Sequence, residues 1–470
     1  MAGCVSTPDE RTFDVVLRGG RVLDPESGLD AVRHVGLSGG KIRAVSSDPL
    51  RGRLEIDARG LVVAPGFIDL HQHAQDPEAY ALKALDGVTS ALELEIGTDD
   101  VDRWYAEREG KALIHHGVSI GHPPVRMAAL GDPVEFLPPS TSNANRKAAS
   151  AAEIAEIRRR IEHGLRRGAP AVGFGLQYTS AASREEVLEA FRAAAAFGAS
   201  CHVHLRHGGT KETDNCLTGL EEVLAASASA GAPLHVVHLH STSVGWTPRA
   251  LKAVADARAR GVDVTAECYP YTAGMTRIQS AIFDGDWRTS RGIDYQDLLW
   301  PPTGERLTAE SFERYRKLGG LVAVFSIPEE AVRAALADPE VIVGSDGIRE
   351  GGSWHPRSAG TCARVLGRYV REEKVLTLMD AVRKMSLLPA RRLERRAPVF
   401  RDKGRIRPGA DADLTLFDPA TVIDRATYEK PTEPSAGIRH VFVDGVAVVR
   451  EGRLVADVLP GRPLRAPIRN

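Results

Sequence analysis

Two periods organise the chain. Between about residues 62 and 395, short apolar runs alternate with stretches in which apolar positions recur every three or four residues. The runs are 61–69 (LVVAPGFID), 88–96 (VTSALELEI), 117–122 (GVSIGH), 171–178 (AVGFGLQY), 199–206 (ASCHVHLR), 233–240 (PLHVVHLH), 262–269 (VDVTAECY) and 341–346 (VIVGSD). The helical period is clearest over 151–167, 184–197 and 248–260. Strands alternating with helices predict parallel strands and right-handed crossovers. Eight such units in one region fit a (β/α)8 barrel, an α/β fold, with its largest insertion over about 272–340.

The two ends follow a different pattern. Residues 13–18 (FDVVLR) alternate as a strand does, and Gly19-Gly20 reads as a turn. Two short runs flank Gly39-Gly40, and Asp444-Gly445 between apolar runs is a hairpin signal. The reading is a flexible N-terminus (1–11), one composite β-sandwich domain from 12–61 and 396–470, and a barrel over 62–395. The long insertion and the region of Arg126 are expected to form pocket walls.

Composition narrows the function classes. The chain has 470 residues, 43% of them hydrophobic, enough to bury a large core, so dominant disorder is excluded. A net charge of −1 argues against a nucleic-acid partner. No apolar run is long enough for a membrane span. The five cysteines include no C-x-x-C pair and do not suggest a disulfide framework. Met-Ala-Gly-Cys at 1–4 resembles the end of a bacterial lipoprotein signal, although no apolar segment precedes it. A cytoplasmic protein is expected, with a lipid-anchored or periplasmic one as the alternative if Cys4 is a lipoprotein cysteine. A homo-oligomer is left open.

The 15 histidines carry the chemistry, because many cluster: His71/His73, His115/His116, His202/His204/His207 and His235/His238/His240. Barrel enzymes place their chemistry at the C-terminal ends of strands. There the sequence offers His71 and His73, Glu93 and Glu95, His202 and His204, His235, His238 and His240, and Asp346. Residues two apart on an extended chain face the same way, so His71 and His73 can meet one ion. Acids inside a barrel are costly unless paired or metal-bound. Imidazole and carboxylate donors suit zinc, one or two ions per chain. Such an ion lowers the pKa of bound water to about 7 and polarises a carbonyl, and Asp346 could pass the proton to a leaving amine.

The run APGFIDLHQH (64–73), with β-structure from both termini, resembles the opening of the amidohydrolase superfamily. Within it the chain is most similar to the N-acyl-D-amino-acid deacylases. The similar segments include GFGLQY (173–178), VHLR (203–206), VVHLHS (236–241), TAECYPYTAGMT (265–276), VGSDG (343–347) and HPRSAGTCARVLGRYVRE (355–372). The resemblance implies His71 and His73 on one metal, His204 and His238 on the other, and Asp346 as metal ligand and catalytic acid/base. It also implies Arg357 for the substrate carboxylate, with Tyr178 lining the same pocket.

Two positions depart from that pattern. These deacylases usually carry a cysteine ligand after the second strand, where this chain has Glu95-Ile96-Gly97. Glu95 is therefore the expected bridging ligand, with Glu93 the alternative. The basic residue often found two positions after the strand-six histidine is His240 here, which is expected to touch substrate. The implied activity is metal-dependent hydrolysis of an N-acyl amino acid, a small molecule of D configuration, through metal-bound hydroxide. A dipeptidase or a hydrolase of cyclic or aromatic amides is the alternative, and a catalytically silent scaffold the non-enzymatic one.

Overall fold

The computed structural model describes residues 12–469, so Cys4 lies outside the described residues. All eight apolar runs contribute a parallel strand to one sheet. In chain order these are β1 (Phe67–Asp69), β2 (Val88–Thr98), β3 (His115–Gly121), β4 (Ala171–Gly175), β5 (Ser200–His204), β6 (Leu234–Val236), β7 (Val264–Cys268) and β8 (Val341–Val343). Neighbouring strands pair in sequence order from β1 to β8. The ring closes just beyond the strand ends. The Asp346 N–H donates to the His71 carbonyl at 2.7 Å, and the His73 N–H to the Gly347 carbonyl at 2.8 Å. Closure therefore happens among the residues that carry the candidate chemistry.

The helices lie where the helical period places them. Ala151–Arg166 starts at a capping box in which Ser150 and Glu153 satisfy each other's backbone N–H groups, and Ile154, Ile157 and Ile161 face inward. Arg184–Ala196 and Thr247–Ala259 also bury one stripe.

Both termini build one nine-stranded, mostly antiparallel sheet. The run 61–69 does not form one strand. Val62–Pro65 pairs in this terminal sheet, and the chain passes to the barrel at Gly66. A Cβ at Gly66 would come within 2.3 Å of the Thr89 hydroxyl oxygen, so the crossing requires glycine. Gly19-Gly20 is not a turn either. The strand Phe13–Asp24 runs through it, with one extra residue bulged against its partner and Gly19 at φ +66°. The Asp444-Gly445 hairpin forms as expected, with both residues at positive φ.

The 272–340 insertion is a small unit with its own antiparallel sheet (Gly274–Arg277, Leu298–Trp300, Glu305–Arg306, Leu321–Val324). Its core packs Phe283, Trp287 and Phe312. It sits over the C-terminal end of the barrel and supplies Met275, Thr276, Ile282 and Arg291 to the cavity there. Arg126 does not reach that cavity. Its guanidinium is fully buried, pairs with Glu186 and donates to the Ala144 carbonyl at 2.9 Å, so it braces a loop. Phe136 and Leu137, further along the same connection, form the wall instead. Among the described residues, no helix is long and apolar enough to cross a membrane.

Candidate metal centre and active site

Five strand ends deliver imidazoles and carboxylates to one point. His71 and His73 follow β1, Glu95 lies in β2, His204 ends β5, His238 follows β6 and Asp346 follows β8. The Glu95 carboxylate lies between two groups of donors. Its Oε2 is 3.1 Å from His71 Nε2 and 3.2 Å from His73 Nε2. Its Oε1 is 2.7 Å from His204 Nδ1 and 3.2 Å from His238 Nε2. Within the pairs, His71 and His73 Nε2 are 3.2 Å apart, and His204 Nδ1 and His238 Nε2 are 3.1 Å apart. Asp346 Oδ1 joins the first group, 3.1 Å from His73 Nε2 and 3.5 Å from His71 Nε2.

These separations fit metal coordination. Donors about 2.0–2.1 Å from a tetrahedral zinc ion are roughly 3.3 Å from one another. Charge points the same way. Glu93, Glu95, Glu267 and Asp346 are all buried here, and their one guanidinium partner among the described residues is Arg357. Four buried carboxylates against one fixed cation call for further positive charge, and two divalent ions would supply it. The donor set thus fits a pair of cations sharing Glu95.

Local backbone shape decides which side chains point inward. The chain leaves the strand conformation after Val236, and His238 sits at φ +30° before the short helix Leu239–Ser243. Asp346 sits at φ +53°. Two non-glycine residues in the left-handed region at one site mark conformations imposed by their surroundings. The turn after Val236 also separates His238 from His240. On a strand they would face the same way, but here His240 is fully buried, stacked edge-on against Tyr269 at 4.4 Å. Tyr269, rather than His240, lines the cavity. Burial and the nearby His238 and Arg357 push the His240 pKa down to about 3, so this imidazole is neutral.

Glu93 and Glu95 have different positions. A bulge between Glu93 and Thr98, with Gly97 at φ +72°, curls the end of β2. Glu93 then accepts the Ile96 N–H at 2.9 Å and meets His73 Nδ1 at 2.5 Å, behind the donor cluster rather than within it. Burial disfavours the Glu95 charge, but His71, His204 and His238 outweigh it and hold the carboxyl well below its usual range. Burial likewise opposes charge on His71, yet Glu267, Asp346 and Glu95 raise its pKa well above the ordinary value. The acids hold protons on the imidazoles that a metal would displace.

Arg357 opens the helix Arg357–Arg364 and is fully buried, with Nη2 3.0 Å from Asp346 Oδ1 and its guanidinium 4.6 Å from the Tyr269 ring centre. Burial works against ionisation of Asp346, but Arg357 and His71 overcome it and keep the carboxyl ionised. Tyr178 lines the cavity, packs on His204 and hydrogen-bonds Thr276 through its hydroxyl at 3.3 Å.

Three participants escaped the sequence reading. Gln177 Oε1 lies 2.9 Å from His204 Nε2, and Glu267 meets His71 Nδ1. Arg291, from the insertion, reaches the cavity and forms no ion pair or hydrogen bond among the described residues. The acid in TAECYPY was a signal for Glu267, but nothing in the insertion sequence singled out Arg291.

A profile of the amidohydrolase family matches residues 125–449. The chain belongs to the amidohydrolase family. It is 32% identical to an N-acyl-D-glutamate deacylase of Alcaligenes xylosoxydans xylosoxydans, covering 97% of each chain. Among solved amidohydrolase structures, it is similar to an N-acyl-D-glutamate deacylase from Bordetella bronchiseptica complexed with zinc and a phosphonate mimic of the tetrahedral intermediate. The TM-score there is 0.82, with 28% identity over 97% of this chain and 100% of the other. It is also similar to a D-aminoacylase studied for its binuclear metal centre, with a TM-score of 0.81 and 26% identity over 96% and 100% of the two chains.

Proposed function

We propose that this amidohydrolase removes the acyl group from an N-acyl-D-amino acid, using one or two zinc ions held by His71, His73, Glu95, His204, His238 and Asp346. The observation that carries the reading is the Glu95 carboxylate placed between two histidine pairs, with Asp346 lining the same cavity and Arg357 buried behind Asp346. When bound, zinc supplies Lewis acidity to the scissile carbonyl and acidifies water.

The chain's own groups do the rest. Asp346 Oδ1, ionised and beside His73 Nε2, accepts a proton from the attacking water. The same oxygen then returns that proton to the departing amide nitrogen. Arg357 is fully buried behind Asp346 and does not line the cavity, so it reaches the substrate's α-carboxylate only by turning from Asp346 towards it; a guanidinium fork matches a carboxylate. Tyr178 and Tyr269 wall the cavity beside it, and His240 supports Tyr269 from behind. The insertion covers the cavity and limits water. Arg291, a second guanidinium without a partner among the described residues, favours substrates whose side chain is itself acidic.

The test is a paired screen of N-acyl-D- and N-acyl-L-amino acids with zinc-loaded protein, including glutamate, aspartate, leucine and methionine derivatives. Release of free D-amino acid, fastest from the acidic members, is the expected result. No amine released from any member, or release from dipeptides and cyclic amides alone, overturns the reading.

A further inference from the structure

Glu95 faces the donor cluster from the cavity side, and a second carboxylate faces it from behind. Glu267, at the end of β7, is 1% exposed. Its Oε1 meets His71 Nδ1 and also accepts the backbone N–H of His238 at 3.4 Å. Its Oε2 meets His235 Nε2 at 3.0 Å, and His235 Nδ1 is fixed in turn by the Thr265 hydroxyl at 2.8 Å. One side chain thus touches the residue after β1 that belongs to one histidine pair and the backbone of the residue after β6 that belongs to the other.

Nothing else explains a carboxylate at this place. Interior positions of such barrels are normally filled by apolar side chains. Among the described residues, no lysine or arginine forms an ion pair with Glu267, so its charge is offset by imidazoles alone. The fold also makes room for it. A Cβ on Gly344, two residues before Asp346, would come within 2.7 Å of Glu267 Oε2. Strands β1, β6, β7 and β8 all converge on this carboxylate.

We infer that Glu267 is a positioning residue for the metal centre, holding the His71 ring and the left-handed turn at His238 in register with Glu95. Its hydrogen bond to Nδ1 leaves His71 Nε2 as the ligand atom, and His235 keeps the carboxylate from rotating away. The inference rests on the metal-centre reading above, but not on the identity of the substrate.

The experiment titrates metal-free full-length protein with cobalt(II), following visible absorption, and measures affinity by competition with a chelator. Glu267→Gln cannot accept from both imidazoles and the His238 N–H, and is expected to weaken cobalt binding by about 10–100-fold with an altered absorption band. Glu267→Asp, which keeps the charge, should recover part of the loss, and His235→Asn should show a smaller one. Gly344→Ala should reproduce the Glu267→Gln spectrum by displacing the carboxylate, and keeps the test alive if Glu267→Gln does not fold. Unchanged affinity and spectrum in folded Glu267→Gln or Gly344→Ala protein overturn the inference. Cobalt readouts do not depend on hydrolysis, so failure of the substrate screen would leave this result standing.

Discussion

Arg357 and Asp346 form a buried ion pair, Nη2 to Oδ1 3.0 Å, with the arginine fully enclosed and the aspartate at the edge of the cavity. The pair joins the residue after β8 to the first turn of the next helix, and it couples two proposed roles. The guanidinium keeps the carboxylate ionised, ready to accept a proton, and is also the group a substrate carboxylate would seek. Substrate arrival would shift the guanidinium from one carboxylate towards another.

Asp346→Asn keeps the shape of the side chain but cannot take up a proton. We expect kcat to fall by roughly 10²–10⁴-fold, the usual contribution of a general acid/base, with a lower melting temperature because Arg357 is left buried without its carboxylate partner. An unaltered kcat would remove Asp346 from the proton path.

Arg357→Gln should raise KM for carboxylated substrates and lower kcat/KM by roughly 10- to 100-fold, the worth of a charge-assisted hydrogen bond. Substrates lacking the α-carboxylate should lose much less. Equal losses on both would show that Arg357 acts through Asp346 alone.

Arg291→Gln tests side-chain preference. N-acyl-D-glutamate should lose roughly 10- to 100-fold in kcat/KM while N-acyl-D-leucine changes little. Steady-state kinetics on the two substrates checks this, and parallel losses would exclude a specificity role.

Glu95→Gln and Glu93→Gln should behave differently, although the two acids are two residues apart. Glu95 lies between the donor groups, so its variant should lose metal content and activity together. Glu93 contacts His73 from behind, so its variant should keep its metal but bind it about 10–100-fold more weakly. Elemental analysis after dialysis distinguishes them.

Asp413 ties the terminal sheet to the barrel. It meets Lys403 Nζ at 2.6 Å and His115 Nε2 at 3.1 Å, and its backbone carbonyl takes the Gly66 N–H at 2.8 Å. Burial opposes its charge, but Lys403 and His115 hold its pKa below the usual 3.8. This contribution to stability is therefore present above about pH 4 and is lost as pH falls further. Asp413→Asn should destabilise by about 3–5 kcal/mol at neutral pH, because it leaves Lys403 buried without that partner. Its stability should also fall less steeply in acid, which denaturant titrations at pH 7 and pH 3 would show.

The barrel was legible because period alone marks a strand buried on both faces, and each of the eight runs supplied one. Convergence of strand ends marked the histidine clusters as candidates, and the resemblance to the N-acyl-D-amino-acid deacylases picked His204 and His238 from the clusters at the ends of β5 and β6. Boundaries were less legible where the chain changes direction without changing composition. The run 61–69 is apolar throughout, yet close approach to Thr89 at Gly66 sends its two halves into different sheets. His240 shares its spacing with a strand residue, but the turn at His238 carries it behind Tyr269.

By itself, then, the sequence determined the alternation of strand and helix, the pairing of both termini and the donor types at the strand ends, because these follow from local period and residue chemistry. Only the tertiary structure decided which acid stands between the histidine pairs, which stands behind them, and which arginine reaches the cavity. Those choices depend on a bulge in β2, a left-handed turn after β6 and the way the insertion folds over the barrel. Such features bring together residues far apart in the chain, and no local pattern encodes them.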